Sequence, residues 1–133
     1  MAGTFNFNVV APDGQVLNKN VDFVVVPSVN GELGILPNHA PLIASLGIGV
    51  IRYTEDGKVK RIAISGGFME VVNNKVTVLA NTAETSEDID LERAQAAKER
   101  AEKRLQERQP DIDIARAEVA LKRAIARLKA AEG

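Results

Sequence analysis

Asp88-Ile89-Asp90-Leu91-Glu92-Arg93-Ala94 recurs 23 residues later as Asp111-Ile112-Asp113-Ile114-Ala115-Arg116-Ala117. Each copy opens a helical pattern, and its acidic residues sit where a helix N-terminus wants them. There they cap free N–H groups and face the positive end of the dipole. The first pattern runs to Gln109 and the second to Ala131. Between them, Gln109-Pro110-Asp111 is a stop and a restart, because proline can open a helix but not continue one. Two helices joined by so short a turn form an antiparallel hairpin. Its seams are Leu91, Ala94, Ala101 and Leu105 against Ile114, Ala117, Leu121, Ala124 and Leu128, with Lys98 laying its stem along the first stripe. Alanine brings backbones close but buries little area, so the hairpin is marginal alone and is a candidate switch.

The chain ahead of this repeat has a different composition. Residues 1–84 carry 6 basic and 7 acidic side chains, all five aromatics and nine of the ten glycines. Residues 85–133 carry 11 charges of each sign in 49 positions and are rich in alanine. That is a β-type composition followed by a helical one. It divides the chain into a β domain over residues 1–84 and a helical domain over residues 85–133. Phe5 to Val9 alternates with period 2, and Val21 to Val26 is a β-branched run stopped by Pro27. Asp56-Gly57 and Asn73-Asn74 are tight-turn signals, each between two apolar runs. Two prolines and two glycines around Leu33 to Ile43 suggest loop rather than central strand. The pattern predicts eight to ten short strands in a small sandwich or flattened barrel.

Composition also excludes chemistry. The net charge of −1 gives no general attraction to nucleic acid, and with no cysteine there is no thiolate metal site or thiol nucleophile. The N-terminus has neither a basic start nor a long apolar run, which predicts no signal peptide. No stretch is long and apolar enough to span a bilayer. His39, the lone histidine, has no nucleophile or carboxylate at a telling spacing, so a structural role is the better reading. Gly31-Glu32-Leu33-Gly34 and Ser65-Gly66-Gly67-Phe68 lack the lysine and helix of a phosphate loop.

The arginines of the hairpin carry the one sharp hypothesis. Arg93 and Arg100 are seven apart and share a helix face, roughly 10 Å apart along the axis. Arg123 and Arg127 share a face of the second helix. With the turn near Pro110, Arg93 faces Arg127, and Arg100 lies about a turn from Arg123. Four guanidiniums on one side repel unless an anion with several oxygens joins them. Glu84, Asp90 and the backbone near Ile89 stand at the same end, able to accept hydrogen bonds from an amino group or a ribose. Ile89 and Ala94 offer a small apolar surface to a base. The competing reading is a pair of solvated faces with i,i+4 pairs such as Glu99–Lys103 and Glu118–Lys122. On pattern alone the solvated faces are the stronger reading.

Two stretches shift that balance. Gly31-Glu32-Leu33-Gly34-Ile35-Leu36-Pro37-Asn38-His39-Ala40-Pro41-Leu42 and Ser65-Gly66-Gly67-Phe68-Met69-Glu70-Val71 resemble the signature stretches of the epsilon subunit of F-type ATP synthases. The resemblance extends over essentially the whole chain. It implies a ten-stranded N-terminal β-sandwich and a C-terminal antiparallel two-helix hairpin. It implies a non-catalytic place in the rotor stalk, bound to the gamma subunit and the membrane c-ring. It also implies a hairpin that folds on the sandwich or extends towards the alpha and beta subunits and blocks ATP hydrolysis. Ile89-Asp90-Leu91-Glu92-Arg93-Ala94 further resembles the motif by which some bacterial members bind ATP. The rest of that site matches as Glu84, Arg100, Arg123 and Arg127. ATP would then be a regulatory ligand, with the role of magnesium open, and the site would be Glu84, Ile89, Asp90, Arg93, Ala94, Arg100, Arg123 and Arg127. The alternative is the same rotor subunit with a purely structural or inhibitory hairpin that binds no nucleotide. The likeness to bacterial members places the chain on the cytoplasmic face of the plasma membrane. Two departures stand out: Asn38 where many relatives have glycine, and a stiff Gln109-Pro110 turn.

Overall fold

A computed structural model describes residues 3–107 and 110–132. Eight strands come first: β1 Phe5–Ala11, β2 Gly14–Val21, β3 Phe23–Ser28, β4 Gly31–Ile35, β5 Leu42–Glu55, β6 Lys58–Val72, β7 Lys75–Ala80 and β8 Ala83–Thr85. A one-turn 3-10 helix, Ser86–Asp88, leads to α1 Leu91–Glu107, and α2 spans Ile114–Glu132. The expected end of the first helix at Gln109 lies outside the described residues.

The strands are hydrogen-bonded in the order β2-β1-β7-β6-β5-β3-β4, and β8 pairs with β6. The β1–β7 pair is parallel and the others are antiparallel. The path folds over on itself, so that β2 packs on β5 and β8. One core fills the space between the layers, centred on Phe7, Val24, Ile35, Ile51, Ile62 and Val78, all fully buried. Phe7 also meets Tyr53, ring centres 5.5 Å apart.

The strand count corrects the expectation of ten. β5 and β6 are single strands of 14 and 15 residues, where the sequence suggests breaks. Glycine is the reason. Gly66 and Gly67 hold φ of +101° and +145°, which lets β6 kink while its ladder with β5 continues from Leu46↔Gly67 to Ile48↔Ser65. Beyond this kink β6 changes partner on its other side, from β7 at Gly67 to β8 at Ile64. The stretch read as loop also contains a strand, β4, which tolerates its glycines because it lies at the sheet edge. Pro27 is likewise accommodated. It falls inside β3 where pairing with β5 lapses between Val25 and Ser28, so its missing N–H costs no ladder bond there.

The turn residues behave as their chemistry demands. Asp56, Asn73 and Asn74 all adopt positive φ, at 52°, 51° and 59°. Asn38 does too, at 61°, and its N–H donates to Asn74 Oδ1 at 2.7 Å. A left-handed position explains why asparagine can replace glycine there.

The two helices are stacked outside the sandwich. α2 lies on β5 and β6, and α1 packs on α2. Ala94 and Ala101 of α1 and Ala117 and Ala124 of α2 are buried between them. Leu91, expected in the seam, is instead 54% exposed, because the buried face of α1 begins only at Ala94. A second stripe on α2 was not foreseen. Ala126 and Ala130, four apart, are buried against Ala63, with Ile48, Val50 and Ile89 around them.

Two outcomes test this frame. A Cβ on Gly67 would fall on the carbonyl oxygen of Leu79, and the backbone there holds a φ that other residues avoid. Gly67→Ala should cost more than ~2 kcal/mol in urea unfolding. Glu55 accepts hydrogen bonds from Lys60 (2.9 Å) and Lys19 (3.3 Å), tying β2 to the β5–β6 turn. The Lys60 hydrogen bond, ahead of Lys19, holds its carboxyl below the usual carboxylate value. That contribution to stability is present above the unfolded carboxylate pKa and is lost as pH falls through the lowered one. In Lys60→Met, a carboxyl titration followed by NMR should move back up.

Candidate functional site

The charged cluster forms where the sandwich hands over to the helices. β8 ends the sandwich and presents Glu84. The 3-10 turn follows, closed by a hydrogen bond from Thr85 Oγ1 to Asp88 Oδ2 at 2.9 Å. Asp90 then caps α1. Its backbone carbonyl accepts from the Ala94 N–H at 3.0 Å, and its Oδ1 accepts from the Arg93 N–H at 3.2 Å. Asp113 caps α2 in the same way, with its carbonyl 3.0 Å from the Ala117 nitrogen and Oδ1 3.0 Å from the Arg116 nitrogen. The repeated phrase is therefore a capping device used twice.

Arg127, near the end of α2, reaches back across the start of α1. Its Nε donates to Glu84 Oε1 at 2.7 Å, with both side chains partly exposed. A cleft of about 150 Å³ lies beside this pair, lined by Glu84, Asp88, Asp90, Arg93, Ala94 and Arg127. A smaller niche, about 10 Å³, adjoins it and is lined by Arg123 and Arg127 with Ser65, Thr82 and Glu84 among the sandwich residues. Six of the eight residues singled out from the sequence thus border one region: Glu84, Asp90, Arg93, Ala94, Arg123 and Arg127.

Two do not. Arg100 is exposed on α1 and lines neither cleft. Ile89 packs into the seam with Ala63, Ala126 and Ala130. Asp88 was missed. It sits one residue before Ile89 and gave no signal beyond being acidic. The direct link between Glu84 and Arg127 was also missed, since 43 residues separate them and only the docking of α2 joins them. The surface pairs differ as well: Lys103 reaches Glu107 at 3.8 Å, and Glu99 accepts from Gln95 at 3.2 Å. His39 holds a backbone carbonyl, with Nδ1 donating to Ala40 O at 2.7 Å. Among the described residues, no group of three acidic or histidine side chains is placed to hold a metal ion.

The chain is thus a β-sandwich carrying a docked pair of helices, with charged groups gathered at the junction. Comparison with known proteins agrees. Residues 4–86 match the family model for the beta-sandwich domain of the ATP synthase delta/epsilon chain, and residues 87–132 match that for its long alpha-helix domain. The chain belongs to this family, as an epsilon chain of the bacterial F-type ATP synthase, a subunit that is not an enzyme by itself. It is 66% identical over 109 residues to the ATP synthase epsilon chain of Desulfitobacterium hafniense strain Y51, covering 82% of this chain and 83% of that one. It is 61% identical over 110 residues to that of Carboxydothermus hydrogenoformans, covering 83% and 82%. Among solved structures, a chain of the Euglena gracilis mitochondrial ATP synthase (OSCP/F1/c-ring) superposes with a TM-score of 0.82 at 26% identity, covering all of this chain and 84% of that one. A chain of the Tetrahymena thermophila central stalk and c-ring shares the fold, with a TM-score of 0.63 at 14% identity over 95% of each chain.

Each cap should be separable from the sandwich. Asp90→Ala and Asp113→Ala should each remove about 1 kcal/mol of helix stability. Hydrogen exchange should speed up in the first turn of the affected helix and stay unchanged in β1 to β7.

Proposed function

We propose that the chain is a rotor subunit that gates ATP hydrolysis by the position of its helices, with ATP favouring the docked position. The sandwich, residues 1–84, makes the permanent contacts, with the gamma subunit and the c-ring. Its neighbours come from assemblies titled as containing a c-ring. An apolar patch on the outer face of β5, β6 and β7 supports a constant protein contact: Ile43, Phe68 and Leu79 are 75%, 59% and 55% exposed. Residues 85–133 form the antiparallel hairpin that moves. Arg93 and Ala94 at the start of α1 share a cleft with Arg127 near the end of α2, while Arg104 shares one with Arg116 and Ala117 at the other end. Released, the hairpin extends towards the alpha and beta subunits. The chain works at the cytoplasmic face of the plasma membrane without entering it, and no described helix is long and apolar enough to cross one.

The observation that carries this reading is the Glu84–Arg127 contact beside a cleft that also contains Arg93 and Asp90. The groups around the cleft belong to β8, α1 and α2, so a ligand there bridges all three. The site suits ATP in its chemistry. Arg93, Arg123 and Arg127 supply forks for phosphate oxygens, and Glu84 accepts from an amino group or a hydroxyl. The cleft is smaller than the several hundred Å³ typical of nucleotide-sized ligands, so Arg127 must swing from Glu84 onto phosphate. Ligand at a hundred times its dissociation constant adds ~2.7 kcal/mol to the docked form. The three buried methyls of the docking seam contribute about 2.5 kcal/mol. The two are comparable, which is the condition for a ligand to control docking. ATP acts as regulator and not as substrate.

A second reading has its own support. Asp90 is accounted for as a cap and Arg127 as the partner of Glu84, so the helices could serve structure or inhibition with no nucleotide at all. Calorimetric titration of the isolated chain separates the two. Saturable one-to-one heat with ATP, weaker with ADP and lost in Arg123→Ala, is expected. Absence of heat at millimolar ATP would establish the second reading.

A further inference from the structure

The duplication in the helices runs well beyond the seven-residue phrase. At the same offset of 23, Arg93, Arg100 and Arg104 fall on Arg116, Arg123 and Arg127. Ala94, Ala101 and Leu105 fall on Ala117, Ala124 and Leu128. Burial follows the offset: the four alanines are buried and the two leucines half-buried. Two copies packed through the same alanines are related by an approximate twofold axis between them. The residues that the repeat places at one end of the pair, it also places at the other.

The structure shows that second end. A cleft of about 370 Å³ is lined by Arg104, Asp111, Ile112, Asp113, Arg116 and Ala117. Five of these correspond, at the offset of 23, to the Arg127, Asp88, Asp90, Arg93 and Ala94 that line the first cleft, and Ile112 corresponds to Ile89. The cap is the same, with the Asp113 carboxylate on the Arg116 N–H. Three differences all favour an anion at the second cleft. It has more than twice the volume. It has two carboxylates against two arginines, where the first has three against two. And the counterpart of Glu84, Glu107, does not line this cleft and pairs with Lys103 at 3.8 Å, so among the described residues Arg104 and Arg116 form no ion pair, whereas Arg127 is held at 2.7 Å.

We propose that the cleft between Arg104 and Arg116 is a second anion site on the helix pair, selective for a linear phosphate chain. Its ligand is the di- or triphosphate group, whether carried by a nucleoside or inorganic. Arg104 from α1 and Arg116 from α2 grip the chain from two sides, and Asp113 holds the start of α2 in place. A guanidinium on each helix gives the geometry for bridging phosphate oxygens, and the bridge fastens the end of α1 to the start of α2. The site shares its chemistry with the ATP reading but none of its residues, and it stands or falls separately.

The test is an amide NMR titration of the full chain with inorganic tripolyphosphate and, in parallel, ATP. It is run on the wild type and on Arg127→Ala, Arg104→Ala and Arg116→Gln, with sodium chloride at matched ionic strength as control. Arg104 and Arg116 are exposed, so their variants should keep the helical circular dichroism of the parent. In Arg127→Ala, tripolyphosphate should still shift the Arg116 and Ala117 amides saturably. Arg104→Ala and Arg116→Gln should weaken that binding about tenfold or more. Equal affinity for ATP and tripolyphosphate would assign recognition to the phosphates, and tighter ATP would add a nucleoside contact beside Ile112. The proposal is overturned if these amides do not move at millimolar tripolyphosphate, if chloride moves them equally, or if Arg104→Ala leaves the titration unchanged. Shifts confined to Arg93 and Ala94 would sink the second cleft and keep the first. Shifts confined to Arg116 and Ala117 would do the reverse.

Discussion

Ala126 and Ala130 lie against Ala63 of β6, and Arg127, between them in sequence, holds Glu84 of β8. These contacts seat α2 on the sandwich. Alanine methyls give close approach at little area, and a part-exposed ion pair adds on the order of 1 kcal/mol or less. Beside the seam lies a cleft of about 390 Å³, lined by Ile48, Val50 and Arg52 of β5 and by Lys122, Ile125 and Lys129 of α2. A leucine or phenylalanine in place of the buried Ala126 would overpack its contact with Ala63 and push α2 off the sheet. The small residues keep the docking free energy within reach of a ligand.

The order of packing adds to this. α1 rests on α2, and α2 rests on β5 and β6. Lifting α2 takes both helices away, while the α1–α2 seam of Ala94, Ala101, Ala117 and Ala124 stays buried. The main core of the sandwich is made of strand residues alone, with no helix side chain in it. Pro110 sets a further limit. It can stand ahead of α2 but cannot continue α1, so the two helices do not merge into one without distortion there.

Local chemistry made much of this legible in advance. The caps at Asp90 and Asp113, the positive-φ turns at Asp56 and Asn73-Asn74, and the alanine seam all depend on residues close in sequence. The strand count was not legible, because the Gly66-Gly67 step reads as a break until the ladder with β5 is seen to continue through it. The docking stripe was hidden for another reason. Ala126 and Ala130 are too small to stand out in a helix already rich in alanine, and their partner Ala63 is one of several apolar residues in β6. Summing residue numbers about the turn puts Arg93 opposite Arg127, and the two line one cleft. The same arithmetic could not foresee Glu84, which reaches Arg127 through tertiary packing alone.

The internal duplication makes Glu84 the residue that distinguishes the two ends. Offset by 23, the helices supply each end with the same arginines, aspartates and alanine. A symmetric pair of helices has no means of telling the sandwich which end is occupied. Symmetry is broken by β8, whose Glu84 touches one end only. Under the proposed function, an anion at that end would take Arg127 from a residue of the sandwich and touch β8, α1 and α2 together, which would couple its binding energy to docking. An anion at the far end would join α1 to α2 and leave the sandwich out, since only helix and turn residues line that cleft. Coupling requires a ligand to have different affinity for the two states it separates. Of the two ends, the one beside Glu84 is the one whose surroundings would change if the helices left the sandwich.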